Sequence, residues 1–251
     1  MSAARLGSDR AMRTAAIIQA RLGSSRLPGK VLERFAGQTA LAHCVARVQA
    51  CPAFDEVVVA TTIDPGDDAI VAVCEAAGWR WSRGSEDDVL DRYYQAAQGL
   101  GADAIVRITS DCPLLDPAVV EALIATFIDQ RADYASTSFP RATFPIGISA
   151  EAMTMDALTT AWREDGNPAW REHVTPFLYR HPERFRLATL VCEQDYSHHR
   201  WTLDTPEDAA LLRLIFDHLP ASTSWRDVLT LVEAHPDWSA INAAVVQKRV
   251  T

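Results

Sequence analysis

Three short β-branched runs, each followed by a polar loop and an amphipathic stretch, limit what this chain can fold into. They are "AAIIQA" at 15–20, "EVVVATT" at 56–62 and "DAIVRITSD" at 103–111. Such runs suit strands buried on both faces of a parallel sheet. Between them, apolar residues recur at helical spacing. One helix is predicted over 39–50 with Leu41, Val45 and Val48 inward, and another over 65–77, stopping at Gly78. A third follows Ser85. A fourth opens with Asp116 as cap and Pro117 in its first turn and buries Val120, Ile124 and Phe127. This order predicts an α/β fold, an open and mostly parallel sheet flanked by helices, with ligands beyond the carboxyl ends of the strands.

Polar loops fall at three such ends, at 21–30, 61–64 and 111–116. From about 140 to 197 the alternation lapses into Pro, aromatic and charged residues, with helices expected near 154–163 and 170–180. That region reads as an inserted arm or lid. The sheet pattern returns at "HRWTLDTPED" (199–208), read as a strand ending in Asp204, with Thr205 and Pro206 opening a helix. Residues 1–13 are expected to form a disordered extension and 218–251 a helical segment, leaving 14–217 as the main domain.

Composition excludes some partners. The 251 residues carry a net charge of −9, so no global basic field is present to hold nucleic acid. The apolar runs are too short for a signal peptide core or a membrane span, which leads us to expect a cytoplasmic protein. Five cysteines, an odd number without a C-x-x-C pair, read as reduced thiols.

In this acidic chain the stretch "IIQARLGSSRLPGK" packs Arg21, Arg26 and Lys30 into one loop. Gly23 and Gly29 let backbone N–H groups approach a ligand, and the cations neutralise phosphate oxygens, so the loop suits a triphosphate. It is not a Walker loop: five residues separate Gly23 from the Gly29–Lys30 pair, and Val31 stands where a hydroxyl would hold magnesium. The competing reading is a solvated basic loop; on the triphosphate reading Arg26→Ala or Lys30→Ala weakens triphosphate binding and leaves folding nearly untouched. Phosphate chemistry calls for a divalent ion, and hard cations choose carboxylate oxygens. Asp111 and Asp204, one at each of two predicted strand ends, are the candidates for Mg²⁺. The alternative for Asp111 is a turn or cap residue. Two acids beside a triphosphate repel unless a cation lies between them, so neutralising either is expected to leave stability unchanged or higher. Asp116 reads as a helix cap, and Glu207 and Asp208 as acids that favour a helix dipole. His198 and His199 are adjacent, so one should pack and one be exposed. Most of the seven tryptophans read as core or dimer contacts rather than base-stacking groups.

The blocks "IIQARLGSSRLPGKVL", "VVVATT", "RGSEDDVLDRYYQAA", "VRITSDCPLLDP", "REHVTPFLY" and "HRWTLDTPEDAALL", in that order over 14–217, resemble the CTP-dependent sugar-acid cytidylyltransferases. They most resemble the SpsF-type spore-coat polysaccharide branch, related to CMP-Kdo and CMP-sialic acid synthetases. The resemblance implies a Rossmann-like, nucleotidyltransferase or GT-A-like fold with a dimerisation arm at about 140–197, and a homodimer. It implies that Arg21, Gly23, Ser25, Arg26 and Lys30 bind the triphosphate, that Asp111 and Asp204 bind magnesium, and that Thr61 and Arg83 meet the cytosine and its neighbouring groups. Gly147, Glu172 and His173 are implied to face an acidic, sugar-like acceptor. Arg21, Lys30, Asp111 and Asp204 are the implied catalytic set. Family members read "GDCP" and "GLDVEVF", whereas Ser110 precedes Asp111 here and "GISAEAM" puts Ser149 and Ala150 after Gly147 and Ile148. The acid replaced by Ser149 would otherwise accept from the acceptor's hydroxyl or ammonium groups. The implied chemistry is attack of an acceptor oxygen on the α-phosphorus of CTP with pyrophosphate leaving, His173 being a candidate base. Two further readings stay open, a GT-A-like glycosyltransferase, which would want a D-x-D acid pair, and a catalytically silent nucleotide-binding protein.

Overall fold

The structure is a computed structural model that describes residues 12–220 and 222–247. The expected N-terminal extension lies, up to residue 11, outside the described residues. In chain order the strands are β1 (Thr14–Gln19), β2 (Arg34–Phe35), β3 (Gln38–Thr39), β4 (Glu56–Thr62), β5 (Arg80–Gly84), β6 (Ala104–Thr109), β7 (Tyr134–Ser136), β8 (Glu151–Thr154) and β9 (Leu187–Thr189). The helices are α1 (Ala40–Gln49), α2 (Asp68–Ala77), α3 (Val89–Gln98), α4 (Pro117–Asp129), α5 (Met155–Glu164), α6 (Pro168–His173), α7 (Pro176–Tyr179), α8 (Pro206–His218), α9 (Trp225–Ala234) and α10 (Pro236–Ala240).

Local chemistry sets the helix ends. Thr39 Oγ1 accepts from Ala42 N at 3.1 Å to start α1, and Gly78, at φ 69°, ends α2 in the left-handed conformation that glycine adopts without a Cβ penalty. Asp116 caps α4 by accepting from Ala118 N at 2.8 Å, and its other oxygen accepts from Trp225 N at 2.7 Å, tying α4 to α9. Pro65 to Asp67 form a 3₁₀ turn ahead of α2, because Asp64 Oδ1 takes Gly66 N at 2.6 Å.

Among the described residues a seven-stranded sheet runs in the order β5-β4-β1-β6-β8-β7-β9. β5, β4, β1 and β6 are mutually parallel, whereas β8 is antiparallel to both β6 and β7. Alternate residues of β1 serve opposite faces. Ala16 and Ile18 pack with Leu41, Val45, Ile70 and Phe127 of α1, α2 and α4. Ala15 and Ile17 pack with Leu90, Tyr93, Leu158 and Phe177 of α3, α5 and α7. A third cluster gathers α8 and α9 around Trp201, Leu203 and Phe144.

Two expectations change. The region 140–197 is not set apart from the sheet: it supplies β8 and β9, and Phe144 (7% exposed) and Phe177 (6%) are buried within one chain. Residues 199–204 form no strand. An isolated parallel bridge joins Arg200 to Ile146, and Leu203 N donates to Asp111 O at 2.8 Å, so the segment is pinned to two loops instead of a ladder. Other expectations hold. His199 is buried and His198 exposed, Trp201, Trp225 and Trp238 are core, and the cysteines are free. No helix among the described residues is long and apolar enough to cross a membrane.

Candidate active site

β1 and β6 lie side by side, so the loops leaving their carboxyl ends meet. The first loop is stitched to itself by Gly29 N on Leu22 O at 3.0 Å and to β4's following turn by Leu22 N on Asp67 Oδ1 at 2.7 Å. Gly29 sits at φ 73°, a turn that aims Lys30 across the loop. Its ammonium meets both expected acids, with Nζ 2.7 Å from Asp111 Oδ2 and 2.7 Å from Asp204 Oδ1. Arg26 Nη2 reaches the other oxygen of Asp204 at 2.9 Å. Asp204 arrives there because Thr202 Oγ1 and Leu203 N both donate to Asp111 O, at 3.1 Å and 2.8 Å. Gly147 makes this approach possible: at φ 106°, a Cβ there would stand 2.7 Å from the Trp201 carbonyl carbon.

The electrostatics follow from these contacts. Burial alone would raise the Asp111 carboxyl, but the Lys30 charge and hydrogen bond, aided by Thr109 and Cys112, hold it below the usual carboxylate value. Burial alone would depress Lys30, yet the two carboxylates keep it above its ordinary value. Lys30 thus stands between the two acids, at the place where the sequence reading expects a magnesium ion.

These residues line a cavity of about 550 Å³. Arg21, Ser24 and Ser25 from the loop after β1 line it, as do Glu172, His173 and Thr175. Arg21 faces Glu86 at 3.7 Å with both side chains well exposed, a pairing of small energetic weight. Glu172 and His173 are turned inward by Val174, a β-branched residue held at φ 71° although fully buried. Burial, then the Arg107 charge, lowers the pKa of His173 below its ordinary value.

Three expected contacts do not line the cavity. Gly23 is exposed, and a Cβ there would stand 3.2 Å from Glu86 Oε1. Arg83 is committed to Thr62 O, Asp64 O and Asp68 Oδ1, each at 2.7 Å. Thr61 is fully buried within β4 and its hydroxyl has no partner.

Sequence reasoning passed over Arg92, Arg107 and Glu151, which do line it. Arg92 is 2% exposed, fits against Gly84, whose missing Cβ would touch its Cγ at 3.0 Å, and has an unpartnered Nε. Arg107 and Glu151 face each other across β6 and β8 at 2.5 Å, and Glu151 also accepts from Tyr134 at 2.5 Å and Thr175 at 2.6 Å. A charge inside "AIVRIT" was the available signal, since a buried strand arginine needs a partner.

A basic loop, two carboxylates on one cation and a cleft at the carboxyl edge of a parallel sheet form a nucleotide site. Residues 15–214 match the family model described as Cytidylyltransferase. The chain belongs to the cytidylyltransferase family. It is 33% identical over 230 residues to the spore coat polysaccharide biosynthesis protein SpsF of Bacillus subtilis, covering 88% of this chain and 94% of that protein. It is 36% identical over 123 residues to a 3-deoxy-manno-octulosonate cytidylyltransferase of Geobacter sulfurreducens, 48% of each chain. A solved cytidylyltransferase from Leptospira borgpetersenii serovar Hardjo-bovis superposes with a TM-score of 0.87 at 30% identity, over 95% of this chain and 100% of that one. The fold is thus that of a nucleotidyltransferase, and as a cytidylyltransferase the chain transfers a nucleotidyl group rather than a sugar, which sets the glycosyltransferase reading aside.

Proposed function

We propose that this cytidylyltransferase moves CMP from CTP to a hydroxyl of a sugar acid or similar acidic acceptor, releasing pyrophosphate, for cell-surface glycan synthesis in the cytoplasm. The observation that carries the reading is the shared lysine: Lys30 bridges Asp111 and Asp204 at 2.7 Å each, inside the cavity that the loop cations line. The donor set fits a magnesium ion. Two hard carboxylates converge on Lys30, where phosphate oxygens and water would complete the shell of a magnesium ion that took its place. Such an ion would screen the triphosphate and acidify the attacking hydroxyl.

The chain's own residues do the rest. Lys30 exchanges its two carboxylates for phosphate oxygens, and with Arg21 and Arg26 it stabilises the leaving pyrophosphate. Arg107, with an unpartnered Nε at the cavity floor, supports an acceptor that carries an acid group. His173, kept neutral by burial and Arg107, can take the hydroxyl proton at a ring nitrogen. The SpsF and octulosonate relatives support the acceptor class. The proposal includes a homodimer, which rests on the family resemblance, since Phe144 and Phe177 are already covered within one chain.

The test is pyrophosphate release from CTP, UTP, ATP and GTP with magnesium, against nonulosonic, octulosonic and phosphonate acceptors. The expected result is turnover with CTP and at least one acid. Equal use of all four nucleotides overturns the base assignment. Turnover with neutral sugars but with none of the acids overturns the acceptor class.

A further inference from the structure

Asp204 has no strand to hold it, and its orientation rests on side chains around it. Arg200, 6% exposed, gives Nη2 to Asp204 Oδ2 at 2.9 Å. It closes on Asp208 with Nε to Oδ1 at 2.9 Å and Nη2 to Oδ2 at 3.0 Å. Asp208 is fully buried and also accepts from the backbone N–H groups of Asp204 at 3.0 Å and Thr205 at 3.1 Å. Two residues from the far end of the chain complete the cluster. Asn242, 3% exposed, donates Nδ2 to the Arg200 carbonyl and to Asp208 Oδ1, each at 2.9 Å. Gln247 accepts Arg200 Nη1 on its Oε1 and itself lines the cavity. Both lie beyond residue 214, where the family match ends.

We propose that the segment from α9 to residue 247 is a working part of the active site, a strap that fixes Arg200 and through it the Asp204 carboxylate. The inference rests on Asp204 being one of the two ion-holding acids. Arg200, Asn242 and Gln247 are positioning residues: they set the direction of Asp204 and touch no reacting atom. A guanidinium is a rigid planar fork, so a partner on Nη1 fixes the plane in which Nη2 meets its carboxylate. The strap itself is anchored by packing: Trp225, Val232 and Trp238 belong to the α8–α9 core cluster. Residues 242–247 are thereby coupled to the site through that core.

The test uses Gln247→Ala and Asn242→Ala in the full chain, with Mn²⁺ as a spin probe titrated in the presence of CTP. Outer groups that orient a metal-binding side chain are worth about 10- to 100-fold in affinity, so both variants should bind Mn²⁺ that much more weakly. Calorimetry without metal should give unchanged CTP affinity. Gln247→Glu, which restores an acceptor to Arg200, should recover most of the Mn²⁺ affinity lost in Gln247→Ala. Gln247 is exposed, so its loss should leave the melting temperature near that of wild type, which separates positioning from folding. Mn²⁺ affinities within about twofold of wild type in both folded variants overturn the strap. A wild type that binds no Mn²⁺ with CTP overturns the ion reading of Asp204, and the strap's role falls with it.

Discussion

The Lys30 side chain is 12% exposed, and its ammonium sits between the Asp111 and Asp204 carboxylates at 2.7 Å each. From its loop it reads as a triphosphate contact whose removal leaves folding nearly untouched, a cost its burial changes. Removing one partner of a buried, hydrogen-bonded ion pair leaves charge uncompensated, so Lys30→Met should cost about 3 to 5 kcal/mol in urea unfolding. Asp111→Asn should lower stability, contrary to the sequence expectation, because Lys30 already relieves the repulsion that the substitution was meant to remove. Arg26 is more exposed, at 27% of its side chain, so Arg26→Ala should spare the fold. It should weaken CTP by roughly 1.5 to 3 kcal/mol in calorimetry, the worth of a charged hydrogen bond. The shifts fix the pH dependence. Asp111, lowered from 3.8, stabilises fully above that value and loses its contribution as pH falls through its folded pKa. Lys30, raised from 10.5, stabilises fully below that value and loses its contribution as pH rises through its folded pKa. The urea midpoint gap between wild type and Lys30→Met should therefore be flat at neutral pH and shrink at both extremes.

Elements with a continuous apolar run or one periodic apolar face were legible. β1, β4 and β6 follow from their β-branched runs, and α1, α2 and α4 from their caps and inward-facing apolar positions. Hydrogen bonds formed across long sequence gaps were not. β8 is only four residues long, "EAMT", and takes its place because Arg107 across the ladder supplies the partner for Glu151. β9 is three residues long, shorter than any periodic signal. Residues 199–204 look like a strand, but their backbone is claimed by Asp111 and Ile146 instead of a neighbouring ladder. Glu151 joins β6, β7, β8 and the turn before α7 through three donors. Glu151→Gln would leave Arg107 without its counter-charge, and both side chains are at most 15% exposed. The expected cost is on the order of 3 kcal/mol, seen as a lower urea midpoint at unchanged slope. An unchanged midpoint would mean that the network does not hold these strands together.

At the scale of the molecule, the sheet brings to one crevice residues that stand far apart in the chain, Lys30, Asp111, Glu172 and Asp204, and a strap beyond the family match closes on it. The meeting of Lys30 and Asp111 was legible because each lies on a polar loop after a parallel strand, whereas Asp204 follows no strand and Glu172 sits in α6. The lysine bridge was not, since no spacing rule says that a cation on one loop will reach two acids on others. Sedimentation tests the proposed homodimer, with a dimer at micromolar concentration expected and a clean monomer the contrary outcome. The central claim is that Asp111 and Asp204 give up Lys30 to hold magnesium when the triphosphate arrives. Calorimetric titration of CTP with and without magnesium, into wild type, Asp111→Asn and Asp204→Asn, tests it without needing the acceptor. Magnesium should tighten CTP binding to the wild type by about tenfold or more, one charge-assisted contact's worth, and should give neither variant that gain. An equal gain in either variant would contradict the two-carboxylate site.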